Sequence, residues 1–358
     1  MFVAAMQAAV GWHRQRCEYF ARLLDQYNVN EASLNTVEDC AKLPLVHANF
    51  FKTHTVKSID DDQISLTLTS SGTSGQKSRM FFDDWSIGAG RKMIDCIYDY
   101  YGWNQPQQEA NYLLYTYETL PDSHLGTAAT DNYLLKYAKA NRIFYALRLT
   151  DHVLGEHEFD VFGTIETLQS FAAEEGLPVR IQGFPSFMYF TLKRMEDLGM
   201  EPLRLHPDSM TAFGGGWKGF ADQQIAKQDL YEMIEHWLGI PRDRCRDGYG
   251  SVEHAVPYFE CPEHQFHVPI WSRIFIRDVR TLEPLGYNQP GFLHFVTPYI
   301  TSVPAISVLM GDLAVLHSPE ECSCGLETPY FEILGRAGTS KNRSCAIAAS
   351  ELLQGRTV

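Results

Sequence analysis

Two short stretches of the chain pair soft metal ligands. Cys261-Pro262-Glu263-His264-Gln265-Phe266-His267 is followed 55 residues later (322 minus 267) by Cys322-Ser323-Cys324. Two ligand pairs split in this way have the form of a Cys/His zinc site, in which four protein ligands close a tetrahedron and leave no position open for chemistry. Cys261, His267, Cys322 and Cys324 are the candidate ligands, with His264 the alternative histidine. A different chemistry is available at Thr69-Ser70-Ser71-Gly72-Thr73-Ser74-Gly75-Gln76-Lys77-Ser78-Arg79. Glycines let a backbone approach a phosphate, hydroxyls and N–H groups donate to its oxygens, and cations offset its charge. This is not a Walker loop: the pattern needs Gly-Lys beginning five residues after Gly72, and Lys77 itself stands there with no glycine before it. A third candidate is Cys345, in Lys341-Asn342-Arg343-Ser344-Cys345. Neighbouring cations lower a thiol's pKa, and the thiolate is the nucleophile. Cys17, Cys40, Cys96 and Cys245 sit in no second motif and read as core or surface residues. Ser251 is not a hydrolase nucleophile, since Tyr249 and Glu253 occupy the glycine positions of G-x-S-x-G.

The elements that must hold these residues alternate along the chain. Cys17, Phe20, Leu23, Leu24 and Tyr27 have helical spacing, so the amino-terminal stretch reads as docked helix. Asp84 reads as the cap of a helix carrying Ile87, Met93, Ile94 and Ile97. Residues 111–117 and 144–150 read as buried strands, and 272–278 with 291–297 as a hairpin or meander. The stretch from about 160 to 200 reads as helical with a break at Gly183-Phe184-Pro185. The mixture predicts an α/β core with an added β-rich part at about 255–330.

Composition bounds the function. The chain has 358 residues, 45% hydrophobic and 21% charged, which is globular composition and excludes a disordered or coiled-coil protein. A formal charge of −14 is the wrong sign for a general nucleic-acid binder. No apolar run is long enough for a membrane helix. The start, MFVAAMQAAV, lacks the basic region of a signal peptide. Eight cysteines in such a chain point to a reducing, cytoplasmic setting rather than a disulfide framework.

The loop at 69–79 resembles the phosphate-binding loop of the adenylate-forming superfamily, which includes acyl-CoA ligases and firefly luciferase. Four further segments follow in that superfamily's order. Gly214-Gly215-Gly216-Trp217-Lys218 resembles its glycine turn against adenine. Gly248-Tyr249-Gly250-Ser251-Val252-Glu253 resembles its Tyr-Gly-x-Thr-Glu motif, with serine for threonine. Gly311-Asp312 resembles its ribose-binding Gly-Asp, and Gly335-Arg336 its hinge Gly-Arg. Within the superfamily, GGGWK and the ending RSCAIAASELL resemble the LuxE-type acyl-protein synthetases, with phenylacetate–CoA ligases as relatives. The resemblance runs over about residues 44 to 358.

The resemblance implies an α/β adenylation domain over 1–335 and a short segment, 336–358, in place of the usual C-terminal domain. The chain ends 22 residues after Arg336 (358 minus 336), so the lysine of that domain has no counterpart; Lys218 and Lys341 are the substitutes on offer. ATP would be held by Ser70, Ser71, Gly72, Thr73, Ser74, Gly75 and Lys77, by Gly214, Gly215 and Gly216, and by Tyr249, Ser251, Asp312 and Arg336. Glu253 would hold Mg²⁺, a cation that favours oxygen ligands, and Lys218 would meet phosphate. Cys345 matches the acyl-carrying cysteine of LuxE-type enzymes. The zinc spacing matches that of some phenylacetate–CoA ligases. The implied activity is ATP-dependent activation of a carboxylic acid, by family a fatty acid, with transfer to Cys345 and then to an acyl reductase or other acceptor protein. Phe184, Phe187, Met188, Phe213 and Trp217 would line the acyl pocket. Transfer to coenzyme A or a carrier protein, or a scaffold without catalysis, are the alternatives.

Overall fold

The computed structural model describes residues 1–69, 78–118, 133–151, 156–174 and 176–337, with the side chains of Asp151 and Lys218 left aside. The chain forms two compact units. One comprises Met1–Met93, Gly250–Tyr258 and the chain from Gln265 onward; the other comprises Ile94–Tyr249 and Phe259–His264. The strands from 265 on therefore belong with the amino-terminal ninety residues.

The first unit begins with helices α1 (Phe2–Arg16) and α2 (Glu18–Gln26). Met6, Val10, Phe20 and Leu24 are fully buried on one stripe, against Val296 and Ile306. A turn of helix, α3 (Phe50–Thr53), follows the short strand β1 (Val46–His47). Strands β2 (Leu66–Thr69) and β3 (Arg79–Phe82) pair antiparallel. Helix α4 (Asp84–Tyr100) comes next. Its cap is Asp83 rather than Asp84: Ser86 N–H donates to Asp83 Oδ1 at 2.8 Å and Ile87 N–H to the Asp83 carbonyl. Asp84 stands inside the first turn, where it complements the helix dipole instead.

The larger sheet of this unit is antiparallel. It uses β11 (Phe266–His267), β12 (Arg273–Arg277), β13 (Pro284–Leu285), β14 (Gly291–Val296), β15 (Ser307–His317) and β16 (Tyr330–Arg336) in the order β11-β16-β15-β14-β12-β13, with β1 added parallel to β15. The expected hairpin is present as β12 and β14, paired from Arg273–Val296 to Arg277–Phe292.

The second unit holds a mostly parallel sheet. Its strands are β4 (Gln105–Tyr117), β5 (Ala138–Asp151), β6 (Glu156–Phe159), β7 (Val179–Gly183), β8 (Met210–Gly214), β9 (Cys245–Tyr249) and β10 (Tyr258–Phe259), in the order β10-β9-β8-β7-β4-β5-β6. Helices α5 (Val161–Ala173), α6 (Pro185–Asp197) and α7 (Lys227–Leu238) connect them. The core is built from Leu113, Ile181, Leu192, Ile234 and their neighbours. The stretch 160–200 is thus helix–strand–helix rather than a broken helix. Every residue of β7 is buried, so Val179-Arg180-Ile181-Gln182-Gly183 shows none of the alternation of a half-exposed strand.

Gly183 explains the break. Its φ is +110°, and a Cβ there would stand 2.3 Å from the Tyr115 carbonyl oxygen. Both the backbone conformation and the space exclude a side chain. Gly183→Ala is expected to lower stability by about 3 kcal/mol or more, combining backbone strain with overpacking. A urea midpoint indistinguishable from that of the unaltered chain would contradict this assignment.

Candidate active site

In the second unit the carboxyl ends of the parallel strands gather the predicted adenine-binding residues. This end of an open α/β sheet is where ligands bind, because strands stop there and backbone groups become free. Strand β8 ends at Gly214 and β9 at Tyr249, with Gly214 directly beside Gly248 in the parallel register. Gly215 and Gly216 both have positive φ, 74° and 65°, so the chain turns sharply off the strand end. A Cβ on Gly248 would come 3.1 Å from the Phe213 carbonyl, which keeps the two strand ends close. Lys218 opens a short 3₁₀ segment, Lys218–Gln223. Trp217 is buried and packs on Tyr189 with ring centres 5.4 Å apart.

Of the residues expected to line an acyl pocket, Met188 and Phe213 belong to the hydrophobic core. Met188 is fixed there by Tyr115, whose hydroxyl lies 3.8 Å from its sulfur. Phe184 and Phe187 instead join Phe190 and Phe220 in a run of aromatic contacts 4.8–6.4 Å apart. This run continues the strand ends with apolar surface.

A buried ionisable group behind β9 escaped the sequence reading. Glu260 is fully buried; it pairs with Lys227, accepts from the Tyr231 hydroxyl at 2.8 Å, and accepts from Asp247 N–H at 2.8 Å. Asp247, the residue before Gly248, is pushed up to about 7 by burial and then by the Glu260 charge. The cluster ties α7 to the strand that ends in Gly248-Tyr249. Only an isolated acid within a strand, Arg246-Asp247-Gly248, hinted at it.

The first unit carries the remaining nucleotide candidates. Asp312 on β15 lies directly across from Arg336 on β16, and the ladder is extended by Ala337 N–H donating to the Gly311 carbonyl at 2.8 Å. Ser251 Oγ sits 3.9 Å from Met310 Sδ, two residues before Asp312, and caps the following turn by accepting from His254 N–H. Glu253 stands in that turn at 6% exposure, and its carboxylate has no hydrogen-bond or ion-pair partner among the described residues. A carboxylate removed from water and left without a partner is suited to a cation. The turn is braced from below. His254 stacks on Phe295 at 4.2 Å, and its Nε2 lies 2.8 Å from the Tyr258 hydroxyl, itself 2.7 Å from Ser272 Oγ. Burial holds the His254 imidazole down at about 3, so it stays neutral.

The four soft ligands come together. Ligand atoms of Cys261, His267, Cys322 and Cys324 all lie within 4.8 Å of one another. Cys324 Sγ is 3.2 Å from His267 Nε2. His267 Nδ1 lies 2.7 Å from the Thr328 carbonyl, which takes its proton and leaves the Nε2 lone pair facing the sulfurs. Leu326 N–H points at Cys324 Sγ from 3.5 Å. The donor set, three thiolates with one neutral imidazole, fits Zn²⁺. His264 is elsewhere, beside Glu260 and against the Tyr231 ring. Of the other cysteines, Cys17, Cys40 and Cys245 are buried and Cys96 is partly exposed. Ser70, Ser71, Gly72, Thr73, Ser74, Gly75, Lys77 and Cys345 lie outside the described residues. Among the described residues no helix is long and apolar enough to cross a membrane.

Residues 1–354 match the family described as Acyl-protein synthetase, LuxE. The long-chain-fatty-acid–luciferin-component ligases of Vibrio harveyi and Aliivibrio fischeri are 26% and 24% identical to the chain, covering 97% and 98% of it and 86% and 88% of those proteins. A phenylacetate–coenzyme A ligase of Thermus thermophilus is 22% identical over 92% of the chain and 68% of that protein. The backbone superimposes on a 2-hydroxyisobutyryl-CoA ligase crystallised with an acyl-adenylate and CoA, with a TM-score of 0.66 over 95% of this chain and 75% of that one, at 15% identity. That likeness shows the α/β fold of adenylate-forming ligases. Because the family match runs unbroken across both units, the chain belongs to the LuxE family of acyl-protein synthetases.

Proposed function

We propose that this enzyme activates a carboxylic acid, a fatty acid in the first instance, by joining it to AMP, and then takes the acyl group onto Cys345. The observation that carries the reading is the set of the Gly214–Gly216 turn beside Gly248-Tyr249 and Asp312 across from Arg336, within a chain whose family is that of acyl-protein synthetases. In the first half-reaction a carboxylate oxygen attacks the α-phosphorus of ATP. A P–O bond forms, the bond to pyrophosphate breaks, and a mixed anhydride results. Asp312 is suited to accept hydrogen bonds from both ribose hydroxyls, and Tyr249 to stack on adenine. Lys77 and Lys218 are suited to the phosphates. Glu253 would hold Mg²⁺, which when bound would offset the charge that develops in phosphoryl transfer. In the second half-reaction the Cys345 thiolate attacks the acyl carbonyl; the C–O bond to AMP breaks and a thioester forms. An acyl reductase or another acyl-acceptor protein then takes the group. Support for a long-chain acid comes from the two luciferin-component ligases and from the aromatic run at the strand ends.

We infer that Cys261, His267, Cys322 and Cys324 hold one structural Zn²⁺, supported by their mutual distances.

The test is carboxylate-dependent ATP–pyrophosphate exchange, screened across chain lengths and aryl acids. Glu253→Gln is expected to reduce exchange by about a hundredfold, with part of the loss recovered by raising Mg²⁺, because it removes charge stabilisation and not the fold. A variant that exchanges as fast as the unaltered enzyme at limiting Mg²⁺ would take the metal role away from Glu253. Failure of every acid to drive exchange would leave a scaffold.

A further inference from the structure

Near the amino ends of two inner strands of the second unit's sheet, the ends opposite the glycine turns, lie two buried cations that the reaction does not use. Arg180 is the second residue of β7 and Arg246 the second of β9, and they are 4% and 5% exposed. Arg180 is in register with Met210 and Arg246 with Ala212, so both side chains leave the same face of the sheet. Two strand spacings and a two-residue offset put their Cα atoms about 12 Å apart, a gap that two arginine side chains can close from both sides. Their contacts converge on one segment. Arg180 Nη2 donates to Gln105 Oε1 at 3.2 Å, and the Arg246 guanidinium lies 5.8 Å from the centre of the Trp103 ring. Trp103 is half-buried and Gln105 exposed, so that segment stands at the surface.

Neither guanidinium is satisfied. Arg180 Nη1 and Arg246 Nε are buried with no hydrogen-bond acceptor, and neither arginine forms an ion pair among the described residues. Arg246 Nη1 reaches only the carbonyl of Cys245, at 3.3 Å. The acids that flank the segment in the chain are engaged elsewhere: Asp99 accepts from Asn104 at 2.6 Å, and Glu109 pairs with Lys139 at 2.5 Å. The titratable groups coupled to Arg180 are phenols and not carboxylates: Tyr112, which also hydrogen-bonds to it and whose pKa burial pushes up, and Tyr98. Buried Gln182 Oε1, on the same face, is also without a partner. A buried charge is normally paired, and a planar guanidinium with a free N–H edge matches the oxygens of phosphate.

We propose that Arg180 and Arg246 form a binding site for a small oxyanion, a phosphate group either free or in a simple ester, entered beside Trp103 and Gln105 and separate from the nucleotide-binding end of the sheet. The probes are inorganic phosphate and glycerol phosphate, titrated into the full chain at constant ionic strength without ATP or acid. The readouts are ³¹P line broadening, tryptophan emission and the thermal midpoint. Phosphate at about a hundred times its Kd is expected to raise the midpoint by roughly 3 °C or more over a chloride control. Arg180→Gln and Arg246→Gln are each expected to weaken binding at least about tenfold, and Trp103→Phe to remove the emission change while binding persists. Binding of phosphate alone assigns the site to the free ion; binding of both probes assigns it to the phosphate group. Absence of broadening and of a midpoint shift in the unaltered chain overturns the proposal, whether or not the variants fold. So does a shift that survives in both folded glutamine variants.

Discussion

Cys345→Ala is expected to keep carboxylate-dependent ATP–pyrophosphate exchange near the unaltered rate while losing covalent acyl labelling by about a thousandfold or more. The two half-reactions use different groups. Exchange reports only carboxylate attack on the α-phosphorus and its reversal, in which no thiol takes part. Labelling needs a nucleophile that outcompetes water at the acyl carbonyl, and removing a nucleophile costs orders of magnitude because no neighbour can replace it. Lys341 and Arg343 precede the thiol in the sequence, and cations close to it would favour its thiolate. The measurement is radiolabelled acid followed through denaturing gels with and without neutral hydroxylamine, which cleaves thioesters. A Cys345→Ala chain that still labels would move the acyl group to another residue. An unaltered chain that exchanges but labels only when coenzyme A is supplied, as free acyl-CoA, would assign it to the alternative chemistry suggested by the phenylacetate–coenzyme A ligase relative.

Cys324→Ser is expected to lower metal content from about one zinc per chain towards none, and to lower the thermal midpoint by about 5 °C or more. Free energies of zinc binding by four ligands are large, and in a domain already folded by its own core a few kcal/mol of them contribute to stability. Serine keeps the volume of cysteine but supplies no thiolate. His267→Gln is expected to behave in the same way, whereas His264→Gln is not, because His264 faces Tyr231 and Glu260 rather than the sulfurs. Metal analysis after gentle purification is the direct check. Zinc far below one per chain, with an unchanged midpoint in Cys324→Ser, would reduce the four residues to a coincidence of packing.

Much of this was legible where one local rule dominates. The β12–β14 pairing could be read from alternation, and the zinc candidates from ligand spacing alone. The nucleotide candidates needed several motifs in order, since Gly-Asp at 311–312 taken singly is a turn. Strand β7 was missed because burial on both faces erases the period on which strand recognition depends. The cap moved from Asp84 to Asp83 because adjacent acids cannot be ranked without knowing where the strand before them stops. Glu260 and its partners Lys227, Tyr231 and Asp247 come from three separate stretches of chain. No single-sequence pattern links them; the sheet does.

The hydrogen bond just past the end of β16, from Ala337 to Gly311, has a consequence for encounter with a partner. Cys345 is eight residues beyond it (345 minus 337), so covalent geometry limits its sulfur to a sphere of about 30 Å around that anchor. A thiol confined to such a volume would have an effective concentration in the millimolar range. On the proposed transfer through Cys345, a protein receiving the acyl group would dock inside that radius, and inserting glycine and serine between Ala337 and Cys345 is expected to dilute the thiol without altering its reactivity.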